Sequence, residues 1–242
     1  MPKKALEINH PADIFETRSS RNCHRMLKGI IFDMDGVVVD SHPSHLKVWR
    51  EFLCSAGKSV TDAELEFVRD GRKKEEILRY FFGGLTDDEV RAYGQEKERL
   101  FAGEVQSLKT IPGVQELLIE LHGAAVPVAL ASNGSAGRVH RILDVLRLRA
   151  YFAAVVTAND VALGKPDPEI FHKAAEKLQV QPFESVVFED SVSGVRAAKA
   201  AGMKCLGIAD SLHAKALRRA GADYVFPNFT NTSLSGIQKV LA

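Results

Sequence analysis

Asp33 and Asp35 lie two residues apart in the run Asp33-Met34-Asp35-Gly36, directly after the apolar stretch Leu27–Phe32. At the C-terminal end of a buried parallel strand, where open sheets place their ligands, such a pair can divide one reaction between them. One carboxylate attacks phosphorus, and the other gives and takes the proton of the leaving oxygen. Alone, the run fits a turn equally well, since turns use the same residue types.

Three later segments bear on that choice. Ser132-Asn133-Gly134 ends another apolar run just before a helix predicted to start near Ala136. A hydroxyl, backbone N–H groups and a helix N-terminus suit a phosphate, although an ordinary strand-to-helix turn has the same look. Lys165 stands between a third strand and a helix in Lys165-Pro166-Asp167-Pro168, where its charge could neutralise a transferring phosphoryl group. A solvated loop lysine is the plainer alternative. Glu189-Asp190 ends the run Val186–Phe188 and is followed by Ser191 and Gly194. A helix N-cap explains one acidic residue there, but not two, whereas Mg²⁺ uses carboxylate oxygens and retains waters.

Elements that would position these groups are visible in the hydrophobic pattern. Short apolar runs at Leu27–Phe32, Val126–Ala131, Ala154–Val156, Val186–Phe188, Lys204–Ile208 and Tyr224–Phe226 alternate with amphipathic helices. That alternation predicts an α/β fold, a doubly wound, Rossmann-like parallel sheet covered on both faces. Residues 42–112 break it. Leu46, Trp49, Phe52, Leu53 and Ala56 recur at helical spacing after Ser44, with Gly57 as a stop, and Thr61/Glu64 and Thr86/Glu89 have capping-box spacing. An all-helical cap inserted into the core (26–41 and 113–242) is therefore expected, with Pro112-Gly113 marking the return to a helix that buries Val114, Leu117, Leu118 and Leu121. Residues 1–25 have no sustained period and predict a disordered or loosely docked tail.

Composition excludes more than it identifies. With 32 Lys and Arg against 31 Asp and Glu, bulk charge gives no reason to expect nucleic acid or an acidic membrane as partner. The three cysteines, Cys23, Cys54 and Cys205, form no metal-ligand spacing and suit a reducing, cytoplasmic setting. No apolar run is long enough to span a bilayer. A monomer is the expected state.

Taken together, Asp33-Met34-Asp35-Gly36-Val37, Ser132-Asn133, Lys165-Pro166 and Glu189-Asp190-Ser191-x-x-Gly194 resemble the haloacid dehalogenase superfamily of aspartyl-phosphate-forming phosphatases and mutases. The resemblance spans residues 27–242. It implies Asp33 as nucleophile, Asp35 as general acid/base, and Ser132, Asn133 and Lys165 as phosphate ligands. It also implies Mg²⁺ held by Asp33, Asp190 and the backbone carbonyl of Asp35, with Glu189 in or next to that shell. The insert is similar to the cap of the subgroup holding β-phosphoglucomutase and many sugar-phosphate phosphatases. His45, twelve residues after Asp33, and Lys97 fit the mutase pattern, while Lys74 stands where the mutase has arginine. Lysine lacks the bidentate grip of arginine, and all three residues fit solvated helix faces as well.

The expected activity is hydrolysis of a small phosphorylated metabolite of the sugar-phosphate class, with phosphoryl transfer between sugar hydroxyls as the second reading. A phosphonate-cleaving relative uses a cap lysine near Lys74, but does not carry an aspartate at the place of Asp35. Dehalogenation needs neither Asp35 nor a cation. A catalytically silent binding protein would be expected to lose Asp33, Asp35, Lys165 or Asp190, and all four are present. His42 and His45, three residues apart, lack a third zinc ligand.

Overall fold

The computed structural model describes residues 27–241; the tail expected at 1–25 lies outside them. Six parallel strands form one sheet in the order β3-β2-β1-β4-β5-β6. They are β1 (Gly29–Phe32), β2 (Val128–Ala131), β3 (Ala154–Val156), β4 (Ser185–Glu189), β5 (Lys204–Ile208) and β6 (Tyr224–Phe226). β2 starts two residues later than its apolar run because Pro127 has no N–H for the ladder, although its carbonyl accepts from Ile30 N–H at 3.1 Å.

Side chains alternate across the sheet, so successive β1 residues enter different layers. Ile30, Phe32, Leu130, Val186 and Phe188 pack under α5 (Val114–Gly123), α6 (Ala136–Val145) and α10 (Leu234–Leu241). Ile31, Ala129, Ala131 and Val187 face α7 (Glu169–Leu178), α8 (Val192–Ala200) and α9 (Ser211–Ala220). Both faces are buried, which explains why the strands read as continuous apolar runs rather than alternating ones.

Register places the chemistry. Phe32 is level with Leu130 on one side and Phe188 on the other. Asp33 and Ser132, which follow their strands, and Glu189-Asp190 at the end of β4 consequently reach the same sheet edge.

Between β1 and α5 the chain is helical: α1 (His42–Ser55), α2 (Asp62–Leu65), α3 (Lys74–Phe82) and α4 (Asp87–Ala102). α1 begins at His42, ahead of the expected Ser44, because Pro43 is preset for a first helical turn. Both capping boxes form, Thr61 with Glu64 and Thr86 with Glu89. Trp49, Phe52, Leu53, Leu78 and Val90 make a separate apolar cluster among these helices. The two connections to the sheet lie side by side, with Asp40 N–H bonded to Lys109 O at 2.9 Å and Ile111 N–H to Val38 O at 3.0 Å. Among the described residues no helix is long and apolar enough to cross a membrane.

Candidate active site

Lys165 is the hub at the sheet edge. Its side chain is 1% exposed, and Nζ donates to Asp33 Oδ1 at 2.5 Å, Glu189 Oε1 at 2.5 Å and Ala131 O at 3.1 Å. All three ammonium protons are used. Burial works against the charge, but Asp33 and Glu189 outweigh it and hold Lys165 protonated, above the usual lysine range. Lys165 is therefore no solvated loop residue.

Glu189, expected in or next to the cation shell, meets Lys165 and the turn that follows its strand. Oε1 takes Lys165, and Oε2 accepts from the N–H groups of Asp190 and Ser191, both at 3.0 Å, and from Ser191 Oγ at 2.9 Å. It stands beside Asp190 and is joined to Asp33 through Lys165. The same geometry explains the glycine in the motif: a Cβ at Gly194 would stand 1.9 Å from Glu189 Cδ.

Asp33 and Asp190 remain as candidate cation ligands. Burial raises the pKa of Asp33 well above the carboxylate range; Lys165 opposes this, and Glu189, Asp190 and Asp35 reinforce it. Burial likewise raises Asp190, against the pull of His42, whose Nε2 lies 2.5 Å from Oδ2. Hard oxygens crowded by like charge in a buried place fit a divalent cation. Among the described residues, no three His, Cys, Asp or Glu side chains form a complete metal nest.

Asp35 faces the helical side. Its Oδ1 accepts from Ser41 Oγ at 2.6 Å, and Arg138 forks onto both oxygens at 3.1 and 3.0 Å. Burial would raise its pKa, but Arg138 and His45 hold it well below the usual range. His45 lies 3.3 Å from Asp35 Oδ1 and stacks on Phe101 with ring centroids 4.3 Å apart. Burial first, then Lys97, push its pKa down to about 3, so the ring is neutral.

Lys97, 2% exposed, sits 3.3 Å from His45 Nδ1 and 3.8 Å from Glu98, between the rings of Trp49 and Phe101. Burial, then repulsion from Arg138, lower its pKa to about 7. Lys74 is more open, 4.0 Å from the same Glu98. His45, Lys74 and Lys97 line a cavity of ≈ 470 Å³ together with Asp33, Asp35 and Asp190. His42 and His45 diverge to separate carboxylates and make no joint metal site.

Asn133 does more than its motif suggests. Its Nδ2 donates to Gly71 O at 2.8 Å, and its Oδ1 accepts from Lys165 N–H at 3.4 Å. The carboxamide thus joins the loop after β2 to the segment before α3. In that segment Lys73 Nζ reaches the carbonyls of Ala158, Val161 and Ala162 at 3.4, 3.1 and 3.2 Å, and Ser193 N–H donates to Asp70 Oδ1 at 3.2 Å. Ser132, 1% exposed, accepts from Gly134 N–H at 3.1 Å.

Arg138, Glu98 and the His42–Asp190 pair did not emerge from sequence reasoning. The available signal for Arg138 was its position one helical turn beyond Gly134, which directs it back over the loop.

A strand-end aspartate on a buried lysine, a second aspartate two residues on and an acidic pair at the neighbouring strand define a haloacid dehalogenase-type site. Residues 27–202 match the family model of haloacid dehalogenase-like hydrolases. The chain belongs to that family, among its β-phosphoglucomutase-like and sugar-phosphatase members. It is 36% identical over 203 residues to the phosphorylated carbohydrates phosphatase of Thermotoga maritima, covering 81% of this chain and 92% of the relative. Over 197 residues it is 32% identical to β-phosphoglucomutase of Bacillus subtilis, covering 75% and 83%. In fold it is similar to the crystal structure of β-phosphoglucomutase from Clostridium difficile, with a TM-score of 0.79 at 24% identity, covering 89% and 97%.

Proposed function

We propose that the chain is a Mg²⁺-dependent phosphatase for a small phosphorylated metabolite of the sugar-phosphate class, working through a phosphorylated Asp33. The observation that carries this reading is the division of labour between the two aspartates. Asp33 is fixed on Lys165 beneath the cavity, and Asp35 faces the helical segment, 42–112, which serves as a cap over the ester's organic half.

In the first step an Asp33 oxygen bonds to phosphorus, the P–O bond to the alcohol breaks, and that oxygen takes a proton from Asp35. Water then gives its proton to Asp35 and bonds to phosphorus, releasing phosphate and restoring Asp33. Lys165 holds the nucleophile in place and sets its positive charge beside the phosphoryl group, and Ser132 at the neighbouring strand end would donate to a phosphoryl oxygen. Mg²⁺ bound at Asp33 and Asp190 would supply positive charge against the anionic substrate.

Phosphoryl transfer to a second sugar hydroxyl is the competing reading, favoured by the His45–Lys97 contact beside Asp35. Lys74 in place of an arginine, and the higher identity to the carbohydrate phosphatase, support hydrolysis. The test is a panel of sugar phosphates with Mg²⁺, following released phosphate and isomerised sugar phosphate separately. Released phosphate is expected, lost in excess chelator and restored by Mg²⁺. Asp33→Asn should lower turnover by at least roughly a thousandfold in a folded protein. Isomerisation without phosphate release would favour the mutase, and an Asp33→Asn enzyme within a few fold of the parent would remove Asp33 as nucleophile.

A further inference from the structure

Arg138 is buried on the cap-facing side of the cavity, with 8% of its side chain exposed. Its seat is built for a guanidinium. A Cβ at Gly134 would come within 2.3 Å of Nη2, and the Phe101 ring lies under the group at 5.2 Å. Yet the seat is under-filled with acceptors. Nε is a buried nitrogen without a hydrogen-bond partner, and Glu98 Oε2, 4.0 Å away, is beyond hydrogen-bond reach.

The remaining donors grip Asp35 by both oxygens, and Nη1 also lies 2.7 Å from His45 Nε2. Ser41 and His45 crowd onto one of them as well. A carboxylate held in this way cannot face a leaving oxygen until it sheds the fork. Around the pair, the cationic side chains Arg138, Lys97 and Lys74 meet the carboxylates of Asp35 and Glu98. Asp35 has a proton to carry, so its service as a counter-ion is temporary. Burial first, and then repulsion from Arg138, keeps the proton affinity of Lys97 low.

We infer that Arg138 is the receptor for a second oxyanion of the substrate, and that Asp35 occupies this receptor until a phosphate ester carrying a carboxylate or a second phosphate displaces it. This rests on the phosphate-ester reading above. Carboxylate and phosphate both accept the two parallel N–H bonds that Asp35 now takes. Exchange would free Asp35 toward the leaving oxygen and bring an acceptor near Nε. Lys74 cannot replace the fork, being a point charge. An ester of a neutral alcohol offers nothing to exchange, so its turnover proceeds with Asp35 still clamped for most of the time.

Matched esters test this with the full chain and Mg²⁺. Glucose 6-phosphate is set against 6-phosphogluconate and glucose 1,6-bisphosphate, and 2-hydroxyethyl phosphate against 2-phosphoglycolate, following phosphate release. The carboxylate and bisphosphate arms separate the two oxyanions. In at least one set the charged member should have a kcat/KM roughly ten- to hundredfold higher, with the gain in kcat. Arg138→Met should bring that ratio near one, and Arg138→Lys should recover only part of it. Gly134→Ala, which keeps Arg138 but displaces the guanidinium, should also lower the ratio; melting curves establish which variants are folded. Equal rates within every set for the wild type, or a ratio that survives in folded Arg138→Met, overturns the inference. Absence of phosphate release from all these esters and from p-nitrophenyl phosphate defeats the phosphatase reading itself, and this one with it.

Discussion

Lys165 and Lys97 are buried to nearly the same degree, 1% and 2% exposed, yet one is held protonated and the other is close to losing its proton at neutral pH. Lys165 meets two carboxylates and a carbonyl within 3.1 Å. Lys97 meets a neutral imidazole, two aromatic faces and one carboxylate at 3.8 Å, with Arg138 nearby. Burial penalises both charges alike. The number and closeness of acceptors decides which lysine keeps its proton. Lys165 thus has its acceptors within the sheet edge, while Lys97 on the cap-facing side has no carboxylate within hydrogen-bond reach.

The strongest test of this contrast is Lys165→Met. It leaves Asp33 and Glu189 buried without their shared cation, and should destabilise the fold by about 3–5 kcal/mol in urea unfolding, besides abolishing turnover. A loss below about 1 kcal/mol would show that the two lysines are equivalent after all.

Lys97→Met should behave in the opposite way. The folded pKa of about 7 lies below the ordinary 10.5, so the fold disfavours the charged form. The cost of burying that charge is fully present below pH 7 and fades as pH rises toward 10.5. The variant should therefore be more stable than the parent by about 1 kcal/mol or more below pH 7, an advantage that shrinks at alkaline pH. Its sugar-phosphate turnover should fall much further than its turnover of p-nitrophenyl phosphate, whose leaving group asks little of the cap. Equal losses would make Lys97 structural, and a pH-independent stability difference would refute its lowered pKa.

The smallest effect belongs to a residue outside both clusters. Thr86→Ala removes the capping box of α4 and should cost about 1 kcal/mol without changing kcat/KM. A change in kcat/KM would mean that helix stability in the cap is coupled to the site.

The same division governs how much was legible in the sequence. Asp33, Lys165 and Asp190 lie at strand ends or adjoining loops, where a hydrophobic run fixes the position of the next residue, and Gly194 carries the imprint of Glu189. The Glu189–Lys165 contact was less legible, because a carboxylate that holds a lysine and one that holds a metal look alike in a sequence. The cap-facing cluster draws Asp35, His45, Lys97 and Arg138 from four separate segments. Their convergence depends on how α1, α4 and α6 pack, and a helical stripe conveys which face is apolar but not which neighbour it meets. Lys97 looked like a solvated residue on a charged helix because it packs on Trp49, distant in sequence, and Phe101, one helical turn on.

The contacts that Asn133, Lys73 and Ser193 make between the helical segment and the sheet loops bear on how the two parts can be recombined. The paired connections near residues 40 and 110 look like natural cut points for a chimera. A helical segment transplanted there must still bring backbone carbonyls to the Asn133 amide and the Ser193 hydroxyl and a cation to the carbonyls of residues 158–162. Residues 70–73 and those loop positions form a single inheritable unit, and a graft that separates them changes the seam along with the specificity.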